Sequence, residues 1–205
     1  VAKRRRGEIG LFAGTTQNGK TYQVKKRIRS DRRVCVWSVK EVNDKYAENW
    51  PDSIIVKGGL HELRRVLIDE IGTGSGRVIY IPRSLREFGA WSKICFAWGI
   101  MKECTVVGEE LADVTTPAKA PEGWGNMLRQ GVGFGMKIYG VSQRPAEADK
   151  TILGNVSFIQ CHFLSRSGDR KYMAEEMDVA PEDIKNLNQY HWVRRVAGGK
   201  LQRGK

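Results

Sequence analysis

The sequence predicts an α/β fold in three layers, a mostly parallel sheet between two sets of helices. Three observations predict it. Short apolar runs of strand length alternate with longer amphipathic stretches along the 205 residues, the pattern of parallel strands joined by crossover helices. Gly14 to Thr21 reads Gly-Thr-Thr-Gln-Asn-Gly-Lys-Thr, which satisfies the phosphate-loop spacing G-x-x-x-x-G-K-[ST] at every required position. Neither an internal repeat nor a linker long enough to split the chain is visible, so residues 1–205 are expected to form one domain.

Taken in order, Glu8 to Ala13 reads as a short buried strand and Lys20 to Ile28 as a helix, the strand–loop–helix context that the motif needs. Arg33 to Val39 is a second core strand, followed by a polar loop over 41–53 and a short strand at Ile54 to Lys57. Apolar residues at 60, 63, 66, 67, 68 and 71 suit an amphipathic helix. Gly72 to Gly76 turns the chain into a strand at Arg77 to Ile81, stopped by Pro82. An aromatic-rich helix over 84–101 leads to a strand at Cys104 to Val107, with Glu109 and Glu110 at its C-terminal end. Pro117 and Pro121 make 111–123 an irregular loop. A glycine-weakened helix over 124–134 precedes a strand at Lys137 to Ser142, which ends in Gln143-Arg144-Pro145. A helix near 147–153, a strand over 156–163, a helix to Met177, a short helix opened by Pro181 and a final edge strand at Trp192 to Val196 complete the chain. The motif-bearing core thus spans about 9–177, and 178–205 supplies a short helix and a basic C-terminal tail.

The loop dictates the first chemistry. The amides of Gly14, Thr15, Thr16, Gln17, Asn18 and Gly19 and the following helix N-terminus would face phosphates, where partial positive charge accumulates. Lys20 would reach the β- and γ-phosphates of ATP, and the Thr21 hydroxyl would hold Mg²⁺. Hydrolysis also needs a carboxylate at a neighbouring strand end. Two segments compete for that role. Val66-Leu-Ile-Asp69-Glu70 is the closer literal match, but it is the tail of a helical pattern, with a new strand six residues on. That leaves little room for a crossover. Thr105-Val-Val-Gly108-Glu109-Glu110 is the better core strand, so Glu109 is expected to face Mg²⁺ and Glu110 to polarise the attacking water. Gln143, at the next strand end, can donate to a γ-phosphate and accept from that water. Arg144 could act in cis or reach a neighbour's nucleotide, with Arg77, Arg83, Arg86 and Arg166 as rivals.

A formal charge of +12 is concentrated at Lys3 to Arg6, at Lys25 to Arg33, and at Arg194, Arg195, Lys200, Arg203 and Lys205. Beside a nucleotide motif this points to nucleic acid rather than a membrane surface. No apolar stretch is long enough to span a bilayer, so no transmembrane insertion is expected. Cys35, Cys95, Cys104 and Cys161 lack metal spacing, and His61, His162 and His191 supply no second ligand set; buried free thiols are expected. Trp91 and Trp98, seven apart on the long helix, read as packing residues or an interface stripe.

Gly14 to Thr21, the strand ending in Glu109-Glu110 and Ser142-Gln-Arg-Pro145 together closely resemble the FtsK/HerA superfamily of DNA-pumping ATPases. The segment from Asn155 to Arg166, followed by Gly168-Asp-Arg-Lys171, also resembles its late strand. Glu109 stands where that family usually has Asp. The resemblance implies a RecA-like fold, a homo-oligomeric ring, commonly a hexamer, and movement of double-stranded DNA. The small core looks most like the genome-packaging ATPases of tailless, membrane-containing viruses. That likeness implies capsid or portal-vertex partners and action in the host cytoplasm during assembly or at the virion packaging vertex. It also makes Gln143 the γ-phosphate sensor, Glu110 the catalytic glutamate and a trans-acting arginine the completion of the site. With no span or accessory domain in view, a cell-division translocase or conjugation coupling protein is not expected. A filamentous-phage assembly (toxin-like) ATPase is the alternative in the same fold; a nucleotide-regulated nucleic-acid-binding protein with weak turnover is the alternative of another class.

Overall fold

Strands covered on both faces need apolar residues without alternation, and Ile9 to Ala13, Val34 to Trp37 and Val78 to Tyr80 supply them. The computed structural model describes residues 7–205; the basic run Lys3 to Arg6 lies outside the described residues. The strands are β1 (Glu8–Ala13), β2 (Arg33–Trp37), β3 (Ile54–Val56), β4 (Gly76–Tyr80), β5 (Thr105–Gly108), β6 (Lys137–Ser142), β7 (Phe158–His162), β8 (Trp192–Val196) and β9 (Leu201–Gly204). They form one sheet in the order β3-β4-β2-β5-β6-β1-β7-β8-β9. Pairing is parallel from β3 through β7 and antiparallel at β7–β8 and β8–β9.

The helices are α1 (Lys20–Ile28), α2 (Glu41–Asp44), α3 (Tyr46–Asn49), α4 (Leu60–Arg64), α5 (Phe88–Met101), α6 (Leu111–Val114), α7 (Glu122–Gln130), α8 (Ser167–Met177) and α9 (Pro181–Lys185). On one face Val24 and Ile28 of α1 pack with Phe12, Tyr139 and Phe158, joined by Tyr46 and Trp50. On the other, Trp37 meets Phe88 edge-on at 5.1 Å, and Phe88 stacks on Trp91 at 5.2 Å. Trp91 and Trp98 are both fully buried, so they are packing residues. All four cysteines are free and buried.

Several expectations need correction. The helix from Leu60 does reach Ile71, but Arg65–Ile71 is a π-helical turn. Arg64 meets Asp69 at 3.2 Å and Arg65 meets Glu70, pairs five residues apart as i→i+5 winding requires. Asp69 and Glu70 therefore lie on a solvent-facing helical surface, not at a strand end. The loop expected over 41–53 contains α2 and α3, because Tyr46 and Trp50 are buried apolar anchors within it. The loop expected over 111–123 contains α6 and the start of α7. The helix expected near 147–153 is absent; two 3₁₀ turns, Pro145–Glu147 and Leu153–Asn155, stand there. Asp149 is the cause. Its side chain accepts from the Ile152 amide (3.3 Å) while its own amide donates to Thr115 Oγ1 (3.0 Å), which replaces the helical ladder. Trp192–Val196 is not the edge strand, since β9 pairs outside it. The basic tail is thus a β-hairpin in which Arg194 and Arg195 are structural: Arg194 donates to Gln160 Oε1 at 3.0 Å, and Arg195 to Met177 O at 2.7 Å.

Candidate active site

Three strand ends carry the predicted chemistry, and the sheet sets those strands side by side. β5, β6 and β1 are consecutive and parallel, so the residues after Gly108, Ser142 and Ala13 emerge along one edge. Two backbone bonds fasten the loop to that edge: Gly14 N–H to Ser142 O (3.2 Å) and Thr15 N–H to Phe163 O (2.8 Å). A Cβ on Gly14 would sit 2.7 Å from His162 Cβ, so no side chain fits there. Gly19, at φ 88°, turns the chain into α1 in the left-handed conformation that glycine adopts freely. No side chain caps the first turn of α1, which leaves its N–H groups facing the cleft.

Lys20 is buried, and its Nζ donates to Thr15 O at 2.9 Å. Burial pulls its pKa down, against the pull of Glu109 and Glu110. Glu109 is also buried and accepts a 2.5 Å hydrogen bond from the Tyr46 hydroxyl. Burial first, and the nearby Asp44 second, hold its carboxyl well above the usual carboxylate range. Asp44 is itself pushed up to about 6 by burial and by Glu110. Gln143 joins loop to carboxylate: the Thr16 hydroxyl donates to its Oε1, and its Nε2 donates to Glu110 Oε1. Lys40 Nζ donates to the same Glu110 oxygen at 2.9 Å, and that bond raises the Lys40 pKa.

Thr16, Gln17, Gly19, Lys20, Thr21, Glu109, Glu110 and Gln143 line one cleft of about 670 Å³ with Tyr22, Lys40, Asp44 and Tyr190. The donor set fits a Mg²⁺-bound triphosphate. The Gly14 and Thr15 amides, expected to face phosphate, are instead taken by the Ser142 and Phe163 carbonyls, so the later loop amides and Lys20 are left to match phosphate. The Thr21 hydroxyl and Glu109 carboxylate are hard oxygen donors of the kind Mg²⁺ takes. Among the described residues no three His, Cys, Asp or Glu side chains form a ready metal cage. Few protein ligands are needed where phosphate oxygens and water complete the shell.

Arg144 does not line this cleft; its guanidinium turns 3.4 Å from Glu147, which also takes Arg166 at 2.6 Å. Arg77 lies at the opposite edge of the sheet, donating to Asp31 O (3.0 Å) and Arg29 O (3.1 Å). Arg83 rests on Lys57 O at 3.3 Å, and Arg86 is exposed. Sequence reasoning missed Lys40, Asp44, Tyr46 and Tyr190. The signal for Tyr46 was Tyr46 and Trp50 spaced four apart in a polar stretch, a one-turn apolar pair.

No protein-family model matches the chain. Over 180 residues it is 27% identical to protein P9 of Pseudoalteromonas phage PM2, covering 86% of this chain and 78% of that protein. In structure it is similar to the genome packaging NTPase B204 from Sulfolobus turreted icosahedral virus 2 in complex with AMPPCP, with a TM-score of 0.76 at 12% identity over 97% of each chain. It is also similar to VirB4 of Thermoanaerobacter pseudethanolicus, with a TM-score of 0.70 at 8% identity over 100% of this chain and 91% of that one. The chain has a P-loop NTPase fold of RecA-like architecture that closely resembles that of viral genome-packaging NTPases.

Proposed function

We propose, from that fold and cleft, that this protein is an ATP-hydrolysing translocase that packages double-stranded viral DNA into a preformed capsid. It would work as a homo-oligomeric ring, a hexamer, against capsid or portal-vertex proteins, in the host cytoplasm or at the packaging vertex. One observation carries the reading: the Gln143 amide bridges Thr16 of the phosphate loop to the Glu110 carboxylate. An amide in that position reports the state of a γ-phosphate directly to the carboxylate that would activate water.

The geometry supports the following roles. The loop amides beyond Thr15, with Lys20, hold the triphosphate. Thr21 and Glu109 are the ligands that fit Mg²⁺, which when bound would neutralise charge on the β- and γ-phosphates. Glu110, freed from Gln143 and Lys40, would take up the proton of the attacking water. The net charge of +12 supports a polyanionic partner. No helix among the described residues is long and apolar enough to cross a membrane.

The test is ATP hydrolysis with and without long double-stranded DNA. We expect DNA-stimulated turnover that is lost in Lys20→Ala and falls about 100-fold or more in Glu110→Gln with nucleotide binding retained. Turnover indifferent to DNA would remove the translocase. Activity kept in Glu110→Gln but lost in Asp69→Asn would move the acid elsewhere.

A further inference from the structure

One wall of the cleft ends in an aromatic ring that none of these roles uses. Tyr190 lines the cleft beside Gly19, Lys20, Thr21 and Tyr22, yet remains 48% exposed. Its backbone is unusual. The His191 amide donates to Asn188 O at 3.0 Å, closing a β-turn whose third residue is Tyr190, at φ 68°. That position with positive φ ordinarily calls for Gly or Asn, and a bulky ring is disfavoured there. The turn is also fastened to the phosphate loop: Gln189 Nε2 donates to Gln17 O at 3.4 Å. A Cβ built on Gly19 would lie 3.3 Å from Tyr190 Cδ1 and 3.8 Å from its Cα. The chain therefore keeps a disfavoured conformation at a partly solvated position, and what the strain delivers is an aromatic face at the mouth of the loop.

Resting on the nucleotide-site reading above, we propose that Tyr190 is the platform on which the base of a bound nucleoside triphosphate stacks. Phosphates gathered by Gly14 to Thr21 leave the ribose and base to emerge past the start of α1, where the cleft offers the rings of Tyr190 and the more exposed Tyr22. Apart from Lys20 at the start of α1, the charged side chains of the cleft, Lys40, Asp44, Lys45, Glu109 and Glu110, come from α2, its flanks and the end of β5 rather than from the Tyr190 turn. A base seated on Tyr190 is held by its π-face. Stacking is tolerant of sequence because every base has such a face, so ATP and GTP should bind with similar affinity, and purines ahead of pyrimidines.

The experiment is calorimetric binding of ATPγS, GTPγS and inorganic tripolyphosphate, each with Mg²⁺, to the wild-type chain and to Tyr190→Ala, Tyr190→Gly and Tyr190→Phe. Loss of the ring should weaken both nucleotides roughly tenfold or more while leaving tripolyphosphate binding unchanged. Tyr190→Phe should bind as wild type. Tyr190→Gly suits the positive φ and should melt no lower than wild type without nucleotide, which separates lost stacking from lost folding. Unchanged nucleotide affinity in the Ala and Gly variants, or an equal loss for tripolyphosphate, overturns the platform and leaves the phosphate site standing. A wild-type chain that binds neither nucleotide nor tripolyphosphate overturns the nucleotide site, and the platform with it.

Discussion

His162 lies beneath the phosphate loop, fully buried against Gly14. Gln160 accepts from Arg194 through Oε1 and turns its Nε2 toward His162 Nε2 at 3.1 Å, so that ring nitrogen accepts and the ring is neutral. Burial, with Lys20 nearby, pushes its pKa down from 6.5 to about 4. The sign follows: between those values the unfolded chain takes a proton that the folded chain refuses. Its stability is therefore intact above pH 6.5 and lost as pH falls toward 4. The loss from this group is about 3 kcal/mol. Urea unfolding of wild type and His162→Gln at pH 7 and pH 4.5 should show a flatter pH dependence in the variant; equal slopes would place the acid sensitivity elsewhere. Residues of this kind are not legible in sequence. The gathering of Lys20, Thr21, Glu109, Glu110 and Gln143 around one cleft was, because the loop motif and the ends of two predicted strands place them. His162 and Tyr46 matter through neighbours 148 and 63 residues away, Gly14 and Glu109 respectively, and no local pattern encodes such a distance.

At the scale of elements, the basic run around α1 divides into two kinds of residue. Lys26, Arg29 and Arg32 are exposed. Arg33 is buried and donates to Gly72 O (2.6 Å), Gly74 O (2.8 Å), Trp98 O (2.9 Å) and Lys102 O (3.3 Å), with its guanidinium 3.8 Å over the Trp98 ring. It ties β2 to the end of the π-helical turn and the C-terminus of α5. Arg33→Met should cost about 3 kcal/mol in chemical denaturation, by breaking these four bonds and the contact with the Trp98 ring, whereas Arg32→Met should stay within about 0.5 kcal/mol. Similar effects at both sites would sink the distinction. Sequence reading placed the long elements well, since burial on both faces and helical periodicity are strong local signals. It failed at α2, α3 and α6, four residues each, because helices that short form only under tertiary contacts.

At the scale of the whole molecule, the terminal hairpin holds both paired and exposed positive charge. Arg203 is paired with Asp183 at 2.5 Å, while Lys200 and Lys205 are exposed on the terminal hairpin. If double-stranded DNA is the partner, binding should be nearly independent of base sequence and weaken steeply with salt. Replacing Lys200 and Lys205 with Ala should lower the logarithmic salt slope by about 0.9 for each phosphate contact removed. Filter-binding titrations at several salt concentrations measure it, and an unchanged slope would clear the hairpin of any DNA role.

The four native thiols carry a practical consequence. All are enclosed, and burial raises the pKa of Cys95, Cys104 and Cys161 far from the reactive range. A cysteine introduced on the surface would be the sole site open to a maleimide dye or nitroxide. Fluorescence or spin-label rulers can therefore be installed on the native background, without first stripping the protein of its own cysteines.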